Sequence, residues 1–211
     1  MSDDILAYFS VFRLNRNDIK FLGIRDTYSL HKQVYDLFED IRTEADKINS
    51  KTSGFLWENA GNNFNSKEIL ILSNRKPNQT PKFGKVETKI IKPDFLNYSH
   101  YGFEVTINPV RRIGKTRKNV AIKNSEDVAK WFIKKAKEGW GFEIEPEHLE
   151  VNMNSPIRFK KKGNSVLLNS AKLKGKLKVI DKKQFAKSFL RGIGKGKSFG
   201  FGFLKIVPVN H

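Results

Sequence analysis

Between Gly192 and Phe203 the chain reads Gly-Ile-Gly-Lys-Gly-Lys-Ser-Phe-Gly-Phe-Gly-Phe. No other segment is so constrained in composition. Glycine admits positive φ and lets backbone approach its neighbours closely. Arg191, Lys195 and Lys197 put positive charge on the same stretch. Successive backbone N–H groups in such a loop form a concave anion site. Two readings follow: a phosphate cradle, or a tight helix-to-strand turn that needs glycine for its geometry. The nucleotide-binding P-loop is excluded. Its pattern, G-x-x-x-x-G-K-[ST], follows a strand and opens a helix. Gly196-Lys197-Ser198 fits its end, but Arg191 holds the first glycine position. The flanks are also reversed. Asp181 caps a helix with Phe185, Ala186, Phe189 and Leu190 at helical spacing, and Phe201, Phe203, Leu204, Ile206 and Val207 read as a buried strand.

The rest of the chain is long enough for one large domain or two small ones, at 211 residues. Its net charge of +18 exceeds what solubility needs and points to an acidic partner: RNA, DNA or an anionic membrane. The absence of cysteine excludes disulfides, thiolate nucleophiles, zinc-finger modules and iron–sulfur clusters. Met1 to Leu14 has no basic n-region before an apolar core, so it is no signal peptide. No apolar run approaches a membrane span. A cytoplasmic protein with no membrane-spanning segment and no small-molecule cofactor is expected.

Taken in order, Ile5 to Leu14 reads as a strand and Asn15 to Asp18 as a turn. Asp26 or Thr27 caps a helix whose core stripe is Leu30, Val34, Leu37, Phe38 and Ile41. Phe55–Trp57 and Ile69–Leu72 read as strands with a loop from Asn59 to Ser66. Asn74 to Lys82, with Pro77 and Pro81, is irregular, and Val86 to Ile91 is a strand. Pro93-Asp94 and the following polar residues mark a domain boundary. Beyond it, Tyr101, Phe103, Val105 and Ile107 alternate as a half-buried strand ending at Asn108-Pro109. A short strand (Val120 to Lys123), a helix capped by Ser125, two long extended segments and the Asp181 helix complete the order. Each half approximates strand–helix–strand–strand–(helix)–strand. The expected fold is α+β, two tandem ferredoxin-like (RRM-like) domains, over residues 1–95 and 99–211.

The four histidines show no metal-ligand spacing. His31 stands apart from the others, on the first helix beside its core stripe. Tyr28 and Tyr35, three residues before and four after, share its face. Such a face suits acid–base work or simple aromatic packing. Arg111, Arg112, Lys115, Arg117 and Lys118 crowd one expected loop, Lys160, Lys161 and Lys162 flank a hairpin turn, and Lys172, Lys174, Lys176 and Lys178 share a strand face. Together they make a nucleic-acid surface the better reading than solvated surface.

These residues carry a family likeness. The chain resembles the CRISPR precursor-RNA endoribonucleases of the CasE type, which serve the type I-E Cascade complex. Four blocks carry it: Tyr28-Ser-Leu-His31 with Leu37-Phe38; Phe103 to Pro109; Trp131 to Phe142; and Gly175 to Pro208 with Gly192-Ile193-Gly194 and Lys197-Ser198-Phe199-Gly200-Phe201-Gly202. Family members read G-I-G, then K-A-F-G-x-G-L-L; here Ser198 and Phe203 depart from that pattern. The resemblance implies metal-independent cleavage within a CRISPR repeat RNA hairpin, leaving a 2′,3′-cyclic phosphate and a 5′-hydroxyl. It maps the family's catalytic tyrosine and histidine onto Tyr28 and His31, with His31 as acid or base. The glycine loop, with Arg191, Lys195, Lys197 and Ser198, would hold RNA backbone or pack the active-site helix. The product would be retained with other Cascade subunits. A non-catalytic RNA-binding subunit, and a basic adaptor for DNA or anionic membrane, are the competing readings.

Overall fold

Two runs of alternating apolar residues, one in each half of the chain, build two antiparallel sheets. The computed structural model describes residues 4–43, 45, 53–63, 66–113, 118–161 and 163–209. The chain divides into two units, Met1–Pro93 with Ser198–Gly200, and Asp94–Lys197 with Phe201–His211.

In the first unit, β1 (Ala7–Asn15) is central, paired with β3 (Ser66–Ser73) and β4 (Lys85–Ile91), and β2 (Phe55–Asn63) lies outside β3. The order β4-β1-β3-β2 is that of a ferredoxin-like sheet. Period-two alternation puts Phe12 and Leu14, Phe55 and Trp57, and Ile69 and Ile71 in one buried cluster. Leu30 and Val34 of helix α2 (Thr27–Tyr35) complete it. The connection from β3 to β4 carries no helix, as Pro77 and Pro81 require.

Three expectations for this unit change. Asn15 is not in a turn but caps a short helix, α1 (Arg16–Phe21), through a reciprocal capping box with Asp18. Helix α2 stops at Tyr35, and Ile41 is exposed rather than core. The tertiary reason is that the Asn78 N–H donates to Leu37 O and the Arg75 guanidinium to Glu39 O, which fixes this stretch in a non-helical path. Most of Asn59 to Ser66 is strand rather than loop. Asn59, Gly61, Asn62 and Asn63 of β2 pair with β3 across a bulge, so the ladder overrides their weak strand propensity.

In the second unit the elements are β5 (His100–Ile107), a β6–β7 hairpin (Val110–Ile113 and Lys118–Ala121), α3 (Ser125–Lys135), β8 (Phe142–Ile144), β9 (Glu150–Lys161), β10 (Asn164–Val179), α4 (Lys182–Arg191) and β11 (Lys205–Pro208). The order β11-β5-β10-β8 is again ferredoxin-like, with β9 also paired to β10. The fold is therefore α+β with two tandem ferredoxin-like domains. The cap of α3 is Asn124, not Ser125: its side chain accepts from Asp127 N–H at 2.7 Å. Asp181 caps α4 as expected. The last strand is shorter than its apolar run. Phe201, Phe203 and Leu204 are buried but precede β11; Gly202 among them donates to Thr106 O on β5 and accepts from Ile193 N–H in the glycine loop, so the chain stays against β5 without regular pairing.

The alternating lysines of β10 do lie opposite its buried Leu173 and Leu177. They are not a purely solvated face. Glu104 on β5 stands opposite both Lys174 and Lys205 in the register, and its carboxylate takes ion pairs from Lys205, Lys172 and Lys174. Burial alone would push this carboxyl up, but the three ammonium groups outweigh it and bring it down to about 2. Because the folded value lies below the ordinary 4.5, Glu104 stabilises the fold above about pH 4.5, and that contribution is lost as pH falls toward 2. Glu104→Gln should cost about 2 kcal/mol at neutral pH, and the penalty should shrink on acidification; melts from pH 7 to pH 2 check this. A variant whose deficit is independent of pH would refute the ion-pair account.

Candidate active site

Helix α2 is capped by Asp26, whose side chain accepts from Ser29 N–H at 2.8 Å while the Ser29 hydroxyl answers the cap's own N–H. The cap fixes the helix start at Thr27, one residue before Tyr28. With Leu30 and Val34 in the core, Tyr28, His31 and Tyr35 fall together on the flank, half-buried. The imidazole of His31 lies 4.2 Å from the Tyr35 ring, 5.9 Å from the Tyr28 ring and 5.6 Å from the Phe199 ring, centre to centre.

His31 Nδ1 lies 2.6 Å from the backbone carbonyl oxygen of Ser198. A carbonyl oxygen only accepts, so Nδ1 carries the hydrogen. Nε2 is then the nitrogen that takes up or releases a proton. The same carbonyl accepts from Trp57 Nε1–H at 3.2 Å. Ser198–Gly200 belongs to the first unit with α2 and β2, so this set of residues sits within one unit. Gly200 matters for its backbone conformation: its φ is +83°, which side-chain-bearing residues rarely adopt, while a Cβ there would only touch the Trp57 ring at 3.4 Å.

The other glycine-loop residues lie in the second unit. Arg191 is exposed at the end of α4. Lys197 Nζ donates to Gly192 O at 3.4 Å; burial pushes its ammonium down, and the charge of Arg191 adds to the effect. Lys195 makes an isolated bridge to Asn108, and its Nζ donates to Asn119 Oδ1 at 2.5 Å.

Arg111 and Arg112 are not in a loop but on strand β6, exposed, opposite Val120 and Asn119. Pro109 does not end the extended run; the chain turns into its own two-stranded ribbon. Directly opposed residues share a ribbon face. Arg112 and Asn119 therefore share one, and Lys195 reaches that face through Asn119. Lys118 is on β7 opposite Ile113. Lys115 and Arg117 lie outside the described residues, as does Lys162. Lys160, exposed, and Lys161 end β9.

Several residues of this site escaped the sequence reading. Trp57 and Phe199 meet His31 or its partner only through the fold. Lys32 was legible in principle, four residues after Tyr28; its Nζ stands 5.0 Å over the Tyr28 ring. Among the described residues one group has metal-ligand geometry: Glu145, Glu147 and His148 in the second unit, with His148 Nδ1 3.0 Å from Glu145. Local sequence spacing did not single it out as a ligand set. None of its members lies in the unit that holds His31.

The surrounding protein world contains clear relatives. Over 115 residues the chain is 25% identical to the CRISPR-associated endoribonuclease Cse3 of Thermus thermophilus, a match covering 50% of this chain and 54% of that protein. The chain thus spans about half the length of that curated relative. A structure of CRISPR endoribonuclease Cse3 bound to 19 nt RNA superposes with a TM-score of 0.75 at 18% identity, covering 95% of this chain and all of the other (100%). The CRISPR-associated protein Cas6e from Escherichia coli K-12 superposes with a TM-score of 0.72 at 20% identity, over 96% and 100% of the two chains. These likenesses share the two-unit fold. The sequence profile described as CRISPR associated protein matches residues 7–208, and since that is nearly the whole chain, the protein belongs to this family.

Proposed function

We propose that the protein is an endoribonuclease that cuts a CRISPR repeat RNA hairpin without a metal ion, using His31 as its proton acceptor. The observation that carries this reading is the Nδ1 hydrogen bond of His31 to Ser198 O, which assigns the titrating lone pair to Nε2. The neutral ring takes the proton of a ribose 2′-hydroxyl. The 2′-oxygen attacks the adjacent phosphorus, the bond from phosphorus to the 5′-oxygen breaks, and solvent protonates the departing oxygen. The products are a 2′,3′-cyclic phosphate and a 5′-hydroxyl. Tyr28 polarises the scissile phosphate, and Lys32 beside its ring adds positive charge on that face. The relatives named for CRISPR endoribonuclease activity support the substrate class. Replacing the 2′-hydroxyl at the cut site by hydrogen should abolish cleavage and leave hairpin binding intact; cleavage of that RNA at the normal rate would sink the reading.

The RNA stem is gripped by the basic stretch of the β6–β7 ribbon, with Arg111, Arg112, Lys115, Arg117, Lys118 and Lys195 as contacts. Lys160, Lys161, Arg191 and Lys197 extend the basic surface. The first domain carries the catalytic helix and the second holds the stem. The product then stays bound as the protein joins the other Cascade subunits. Replacing Arg111 and Arg112 together by Gln should weaken hairpin binding and flatten its salt dependence by about 0.7–0.9 log units per lost phosphate contact. Single-turnover cleavage at saturating protein should change far less. An unchanged salt slope would move the stem elsewhere.

A further inference from the structure

We infer that Trp57 is a positioning residue for His31, acting through the backbone carbonyl of Ser198. This rests on the reading of His31 as the proton acceptor. Trp57 is 1% exposed and belongs to the core cluster with Leu30 and Val34, the residues that seat α2 on the sheet. Its indole body is therefore fixed by packing. Its Nε1–H can only donate, and a buried indole N–H needs a partner. It finds Ser198 O at 3.2 Å. A carbonyl oxygen has two lone pairs, and the second serves His31 Nδ1–H at 2.6 Å.

One oxygen thus joins a side chain that cannot move to one that must be aimed. Gly200 supplies the positive φ, +83°, with which the loop backbone runs beside the indole face, and a Cβ there would meet that face in ordinary contact at 3.4 Å. Trp57 anchors the carbonyl, the carbonyl fixes the Nδ1–H tautomer, and the tautomer presents Nε2 as the base. A histidine's reactive nitrogen is set by the bond its other nitrogen makes. Packing alone explains why an apolar ring stands at position 57. It does not explain why that ring's polar edge shares an acceptor with His31.

The test is the tautomer of His31 in the RNA-free protein, read from its ring ¹⁵N resonances, with cleavage measured alongside. Trp57→Phe keeps an aromatic ring and removes the donor. A second variant carries benzothienylalanine at position 57, which keeps the bicyclic shape without N–H and serves if the phenylalanine variant does not fold. In the wild type, neutral His31 should be the Nδ1–H tautomer. In the variants it should become a mixture, the pH–rate profile should shift, and single-turnover cleavage should fall about tenfold at unchanged RNA affinity. An unchanged tautomer and pH profile in a folded variant would overturn the inference and leave Trp57 a packing residue. Failure of the catalytic reading looks different: His31→Ala would then cleave normally, whatever the tautomer.

Discussion

His31→Ala should lower single-turnover cleavage of the repeat hairpin by about 10²–10⁴-fold and leave hairpin affinity unchanged, the loss expected for the acid–base role proposed for it. The ring is half-buried, is not part of the core cluster and is surrounded by aromatic rings, so its removal should cost the fold little. The affinity control separates chemistry from binding, because the proposed stem contacts belong to the second unit. Tyr28→Phe should lose less, as it removes one hydroxyl from a ring that also packs against His31. If His31→Ala cleaves at the wild-type rate, His31 is not the proton acceptor and the Tyr28–His31 face is packing; a wild type that binds the hairpin without cutting it would be a non-catalytic RNA-binding subunit.

Gly202→Ala is the substitution expected to damage the fold most. Gly202 has φ +76°, and a Cβ there would lie 2.0 Å from Ile193 O. That carbonyl cannot yield easily. Ile193 N–H donates to Gly202 O at 2.9 Å, and Gly202 N–H donates to Thr106 O at 2.7 Å, so both ends of the loop are pinned. The strained φ alone costs about 1–3 kcal/mol. With the backbone clash added, we expect at least about 4 kcal/mol and a fall in Tm of about 8–16 °C. Gly194→Ala is the control. Its φ is +70°, but a Cβ there meets nothing within 4 Å, so it should carry only the strain. Melting curves of the two variants decide the point; equal stabilities would refute the steric argument. The loop between Ile193 and Gly202 also carries Ser198, so Gly202→Ala should disturb the acceptor of His31 as well.

The parts of the fold legible in the sequence were those written in local period. Tyr101 to Ile107 alternates and is a strand with every second residue buried. Asp26 and Asp181 precede helical stripes and cap them. What failed locally was decided by partners far along the chain. The asparagines after Trp57 look like loop until β3 supplies a ladder for them. The lysines of β10 look like a uniform cationic face until the register with β5 sets Glu104 among them. Arg111 and Arg112 look like loop residues because Pro109 hides the ribbon that follows. At the candidate site, one helical turn is enough to put Tyr28 and His31 together. The indole of Trp57 and the carbonyl of Ser198 are 141 residues apart, and no local pattern connects them. The glycine loop offered two readings in sequence, a phosphate cradle or support for the active-site helix. The contacts of Ser198 and Gly200 with His31 and Trp57 favour the second for the tip of the loop.

The central claim is that a 2′-hydroxyl, deprotonated by His31, is the nucleophile. The most direct measurement is the chemical identity of the cut ends after incubation of the wild-type protein with its repeat RNA in excess EDTA. The account predicts full cleavage, with a 2′,3′-cyclic phosphate on the upstream product and a 5′-hydroxyl on the downstream one. Ends bearing a 3′-hydroxyl and a 5′-phosphate, formed only when a divalent ion is restored to folded RNA, would contradict it.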